Sequence, residues 1–138
     1  MKEERKEMLK KVIKNNKKWP LIIIGVSAKN FPKAVVLPAD TPSNELGVVP
    51  SSTGQKYPAW VMSLMIKEKQ NTSIVLVIDG IDSVSMEEQE KFAGMLSNKG
   101  VNGYKFPENT QILLTAKAGS TDMISKRIKD LCLIFDMR

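Results

Sequence analysis

A three-layer α/β sandwich around a mainly parallel sheet of about five strands is the fold this chain predicts, on three observations. Short apolar, β-branched runs at 21–26, 33–37, 73–78, 110–116 and 131–135 alternate with segments of helical periodicity. These runs are nearly continuous rather than alternating, as in strands buried on both faces. The central run, Ser73-Ile74-Val75-Leu76-Val77-Ile78, ends in Asp79, and a capped helix follows it. A buried parallel strand that ends in a carboxylate delivers it to the carboxyl edge of the sheet, where open α/β folds place their sites.

The elements follow in order. Residues 1–18 read as an amphipathic helix with Met8, Leu9, Val12 and Ile13 on one face, ended by Trp19-Pro20. Strands are expected at 21–26 and 33–37. Four prolines and two glycines between Pro38 and Pro58 predict a long loop with little regular structure. Pro58 opens a helix to about residue 69 whose inner face is Trp60, Val61, Leu64 and Met65. After the strand at 73–78, Ser85 and Glu88 form a capping box for a helix to about residue 97, with Met86, Gln89, Phe92, Ala93 and Leu96 inward. Gly100 and Gly103 bracket a turn, and 101–106 reads as a short hairpin. A strand at 110–116, a helix from Thr121 or Asp122 to about Lys129 and a last strand at 131–135 complete the chain.

With 138 residues, 42% apolar and 26% charged, and no internal repeat or linker, the sequence reads as one globular domain. No apolar run approaches the length of a membrane span, and the charged N-terminus has no leader-like core, so a cytoplasmic location is expected. The single cysteine, Cys132, cannot form an intramolecular disulfide, and the lack of any histidine argues against a zinc site or a His-based dyad. The net charge of +6 is uneven: residues 1–18 hold eight Lys/Arg against Glu3, Glu4 and Glu7. Two readings follow, a packed helix with solvated lysines or a surface for phosphates.

From about residue 40 to residue 136 the chain carries an ordered series of motifs. They are Asn44-Glu45-Leu46-Gly47-Val48-Val49-Pro50, Tyr57-Pro58-Ala59-Trp60, Val75-Leu76-Val77-Ile78-Asp79-Gly80-Ile81-Asp82, Gly103-Tyr104-Lys105-Phe106-Pro107-Glu108-Asn109, Ile112-Leu113-Leu114-Thr115-Ala116-Lys117 and Lys126-Arg127-Ile128. In order and spacing this series resembles the AAA+ ATPases of the MoxR and dynein-related type. The resemblance implies a P-loop-NTPase-like fold, a metal- or nucleotide-facing role for Asp79 and Asp82, a sensor position at Lys117 and an arginine-finger position at Arg127. The chain departs from that pattern where hydrolysis needs it most. It has no Gly-x-x-x-x-Gly-Lys-Ser/Thr loop, the segment after the first strand being Gly25-Val26-Ser27-Ala28-Lys29-Asn30. Gly80 stands where the water-orienting carboxylate is implied, and Lys117 stands where an asparagine is implied. The family's first helix is missing between 26 and 33, and residues 1–18 are expected to replace it.

The expected function is therefore that of a non-catalytic ATPase-like module working through protein–protein contacts, with an AAA+ ATPase or its own copies as partner and no cofactor. Tyr57, Trp60, Val49 and Tyr104 are the candidate contact residues, set against Trp60 as a core residue of its helix. Asp79 is expected to cap its strand end or to pair with Lys117. One alternative is a half-site for ATP and magnesium completed by another chain. A second is nucleic-acid binding through Lys10, Lys14, Lys17, Lys18 and Lys105, with Tyr104 and Phe106 as stacking platforms.

Overall fold

A computed structural model of the chain describes residues 3–15, 19–51, 54–70, 73–117 and 121–138. Five strands, β1 (Leu21–Ile24), β2 (Val35–Pro38), β5 (Ile74–Asp79), β8 (Thr110–Ala116) and β9 (Leu133–Asp136), form one wholly parallel sheet in the order β2-β5-β8-β1-β9. Two small antiparallel hairpins, β3 (Val49–Ser51) with β4 (Gly54–Lys56) and β6 (Gly100–Val101) with β7 (Tyr104–Lys105), lie outside it. The helices are α1 (Glu3–Asn15), α2 (Ala59–Lys69), α3 (Met86–Gln89), α4 (Ala93–Asn98) and α5 (Lys126–Asp130). This is the expected three-layer α/β sandwich in a P-loop-like, Rossmann-type arrangement.

Every side chain of β1 and β8 is buried, because helices cover both faces of the central strands. On one face Ile22, Ile24, Leu76, Ile78, Ile112 and Leu114 meet α2, α4 and α5 through Trp60, Leu64, Leu96 and Ile128. On the other, Leu21, Ile23, Val77 and Leu113 meet Leu9 of α1, with Val12, Ile13, Phe31 and Ala34 around them. Burying Leu9 alone contributes roughly 1.5–3 kcal/mol to holding α1 down. The short segment 25–34 carries only a single 3-10 turn, Ala28–Asn30, and α1 shares its face of the sheet.

Several boundaries differ from the sequence reading. Met8 and Met86, assigned inward, are exposed because the apolar stripes of their helices are narrower than the count of apolar residues suggests. The loop 38–58 contains a 3-10 turn, Ser43–Glu45, and the β3–β4 hairpin, neither of which its proline content announces. The helix expected over 85–97 is interrupted by a 3-10 turn at Glu90–Phe92. Ser85 does cap α3, its Oγ accepting from the Glu88 N–H at 3.1 Å. The last helix is capped by Ser125, which accepts from the Ile128 N–H, while Thr121 and Asp122 lie in a separate 3-10 turn.

Gln89 is fully buried between these helices. Its amide donates to Val84 O at 3.2 Å and Met123 O at 2.7 Å, and its Oε1 accepts from the Ser125 N–H at 2.7 Å. One side chain thus joins the start of α3 to the cap of α5. Gln89→Leu leaves three backbone groups unpaired and should cost about 3 kcal/mol, read as a lower denaturation midpoint at an unchanged denaturant slope.

The two edges of the sheet end differently. Pro38 has no N–H, and its carbonyl accepts from Thr41, so β2 is closed to further pairing at its carboxyl end. On β9, Asp136 accepts from the Arg138 backbone N–H at 2.9 Å and its guanidinium at 2.8 Å. These bonds hold the Asp136 carboxyl down at about 2, from an ordinary 3.8. The folded value lies below the unfolded one, so the bonds stabilise the fold fully above pH ~4 and are lost as pH falls toward 2. An NMR titration should find the Asp136 midpoint near 2, and Arg138→Ala should return it toward 3.8.

Candidate functional site

β5, β8 and β1 end side by side, and the chain leaves β1 and β8 over opposite faces of the sheet. That is the topology that opens a crevice at the carboxyl edge of an α/β sheet. Asp79, the last residue of β5, lies beside Thr115 of β8, one step beyond the Ile78–Leu114 pair. Asp79 Oδ1 accepts from the Thr115 hydroxyl at 2.7 Å and from the Ala28 backbone N–H at 2.9 Å. Thr115 Oγ1 accepts in turn from the Gly80 N–H at 2.9 Å. A chain of hydrogen bonds therefore runs from Gly80 through Thr115 to Asp79, and then to the loop after β1.

That loop is closed on itself. Among residues 27–31 the Ser27 N–H donates to Asn30 Oδ1, Ala28 to Asp79, Lys29 to Ser27 Oγ, Asn30 to Ser27 O and Phe31 to Ala28 O. A phosphate-binding loop works by leaving several such N–H groups open toward the anion. Here five consecutive donors are already used, and the carboxylate of Asp79 takes one of them.

Gly80 has φ +78 and ψ 45, which turns the chain sharply into the 3-10 turn Ile81–Ser83. A Cβ at this position would also lie 3.1 Å from Ser83 Oγ. A glutamate at this position carries the strain of a left-handed backbone, roughly 1–2 kcal/mol. The departure seen in the sequence thus matches a local backbone that disfavours the implied residue. Asp82 is half-buried and its Oδ2 accepts from the Lys117 backbone N–H at 3.3 Å. The Lys117 side chain is exposed, and no ion pair joins it to Asp79. Of the two roles expected for Asp79, the strand-end cap is the one the geometry displays.

The remaining candidate residues are scattered. Arg127, near the start of α5, is exposed and pairs with Glu90 at 3.5 Å. Trp60 is a core residue: its Nε1 donates to Glu45 O at 3.2 Å and its ring meets Phe106 edge-on at 5.8 Å. Tyr57 is half-buried against the same core, and Val49 lies in β3 opposite Lys56. Tyr104 packs on Phe106 at 6.1 Å with its hydroxyl buried, and Phe106 is itself buried, so the hairpin offers no pair of free rings for bases. Lys105, Lys10 and Lys14 are exposed, and Lys17 and Lys18 lie outside the described residues. Burial pushes the Cys132 thiol up to about 12, which keeps it protonated.

Sequence reasoning missed Thr115 and Lys91. Thr115 is the one hydroxyl between Ile112 and Ala116, one residue before the strand ends, and that isolation was the available signal. Lys91 has a nearly buried side chain that donates to Thr41 O at 2.7 Å and pairs with Glu88 at 3.3 Å. It also lines a shallow cleft of about 850 Å³, with Val48, Met95 and Asn102, between the loop 43–48, α4 and the β6–β7 hairpin. The loop is drawn against the hairpin closely enough that a Cβ on Gly103 (φ +86) would lie 2.7 Å from Val48 Cβ.

Among the described residues no cluster of three His, Cys, Asp or Glu side chains could hold a metal ion. The donors around Asp79 do not fit a magnesium–nucleotide: one carboxylate is already bonded to backbone and hydroxyl, and the adjacent loop has its N–H groups turned inward. Asp79→Ala should cost about 2 kcal/mol, Thr115→Val about 1–2 kcal/mol, and the pair about 1 kcal/mol less than their sum. Strict additivity in equilibrium denaturation would show that the hydrogen-bond chain does not couple the two strands to the loop. No protein-family model matches this chain, and no curated protein sequence matches it.

Proposed function

We propose that this chain is a non-catalytic, P-loop-NTPase-like module, a degenerate relative of the AAA+ core, that works by binding other protein. The observation that carries this reading is the closed loop at 27–31, with the Asp79 carboxylate seated on the Ala28 N–H. Phosphoryl transfer needs a phosphate cradle, a metal site, a group that orients water and a sensor, all acting together. Here the cradle donors are satisfied internally, the carboxylate that would face a metal serves as a structural acceptor, and Gly80 occupies the place of the water-orienting acid. The fold keeps the frame and uses the former chemical positions to fasten a loop to the sheet.

Large apolar side chains at the surface support the binding role. Met62 and Ile66 form an exposed stripe one turn apart on α2, and Leu133 and Ile134 are about half exposed on β9. The electrostatic alternative has less behind it. Leu9, Val12 and Ile13 fix α1 to the sheet, and the aromatic rings of the hairpin face inward.

Thermal unfolding with millimolar magnesium–ATP, compared with magnesium alone, tests the reading. A ligand at a hundred times its dissociation constant adds about 2.7 kcal/mol and moves a domain of this size by several degrees. The expected result is no nucleotide-specific shift. A shift of several degrees that needs the nucleotide would overturn the proposal, since it requires the 27–31 loop to open.

A further inference from the structure

The open edge of β9 has the form of a pairing site, and we infer that it joins a second copy of this chain as an antiparallel strand pair. In the parallel ladder with β1, Leu133 N–H donates to Pro20 O and Met137 N–H to Ile24 O. Backbone groups alternate in direction along a strand, so the odd-numbered residues face β1 and the N–H and C=O groups of Ile134 and Asp136 face outward. The Arg138 N–H, next in that row, is taken by the Asp136 carboxylate. The open ladder is therefore two residues long and ends at a charged clasp.

Backbone donors and acceptors in this row are complementary to an extended strand, and the shortness of the row decides which kind. Four hydrogen bonds, each worth about 0.5–1.5 kcal/mol net, do not offset the ordering of a flexible peptide at about 1–2 kcal/mol per residue. A strand already fixed in a folded domain escapes that cost. The opposite edge of this sheet offers a shorter row, because beside Val36 the next outward residue is Pro38, which lacks an N–H and whose carbonyl is taken by Thr41. β9 itself fits. A two-fold axis beside Phe135 pairs Ile134 with the partner's Asp136 and Asp136 with the partner's Ile134, which uses every open group on both strands. The same register sets Phe135 beside the partner's Phe135 and Leu133 beside the partner's Met137, apolar against apolar, and covers the half-exposed Leu133 and Ile134. Such a contact joins two five-stranded sheets into one of ten. It is an edge contact and smaller than a standard interface, so the association is weak and concentration-dependent.

This inference gives the interaction reading a surface and a partner, and its test is independent of the nucleotide experiment above. Sedimentation or light scattering of the full chain between about 10 μM and about 1 mM should show the mass rising toward twice that of one chain. Amide exchange should slow at Ile134 and Asp136, at least tenfold at the upper end, while Leu133 and Phe135 change little. Ile134→Pro removes an outward N–H without touching the β1 ladder and should remain monomeric throughout. Asp136→Ala frees the Arg138 N–H and should tighten the dimer. A wild-type chain still monomeric at the highest concentration overturns the inference. So does a dimer in which the Ile134 and Asp136 amides exchange at the monomer rate, because another surface then mediates it. Neither result bears on whether the 27–31 loop binds nucleotide.

Discussion

The acceptance of two hydrogen bonds by Asp79 Oδ1 organises the carboxyl edge of this sheet. Ala28 donates from the loop after β1 and Thr115 donates from β8, so three separate parts of the chain converge on one oxygen. A carboxylate at such a position needs partners, because a partly buried charge left unpaired costs several kcal/mol. Here those partners are the Ala28 backbone N–H and the Thr115 hydroxyl. The Ser27, Lys29 and Asn30 donors of that loop turn inward to Asn30 and Ser27.

The same economy explains the layer made by α1. In the order β2-β5-β8-β1-β9 the segment 25–34 must pass two strands and return to the far end of the sheet. Three strand spacings and the length of a four-residue strand make a diagonal of about 19 Å. Ten residues wound as an α-helix span only about 15 Å, whereas the same ten extended reach about 33 Å. The crossing is therefore a series of short turns around the 3-10 turn Ala28–Asn30 rather than a full helix, and α1 shares its face of the sheet. Leu9, Val12 and Ile13 of α1 supply what is missing, which is why the basic helix belongs to the core as well as to the surface.

A second fastening lies on the other face. Gln89 bridges α3 to the cap of α5, Lys91 reaches Thr41, and Trp60 reaches Glu45. All three are long side chains that satisfy backbone carbonyls of irregular segments, groups that no helix or strand ladder pairs. Lys91 and Trp60 hold the proline-rich region 38–58 against the helices, and Gln89 ties α3 to α5.

By itself the sequence determined the layer architecture, the five parallel strands and the place of Asp79 at a strand end. Continuous β-branched runs alternating with amphipathic helices admit few other arrangements, and strand periodicity is a local property. It also showed that no Gly-x-x-x-x-Gly-Lys-Ser/Thr pattern occurs in these residues and that Gly80 follows Asp79, because those are matters of residue identity. Only the tertiary structure decided what Asp79 touches. Ala28 and Thr115 are 51 and 36 positions away, and nothing local singles out one partner over Lys117. It also decided that Phe106 faces inward, that Met8 and Met86 face outward, and that β3 and β4 pair. Each of these depends on which surfaces remain uncovered once the sheet order is set, and that order is fixed by contacts between segments far apart in the chain.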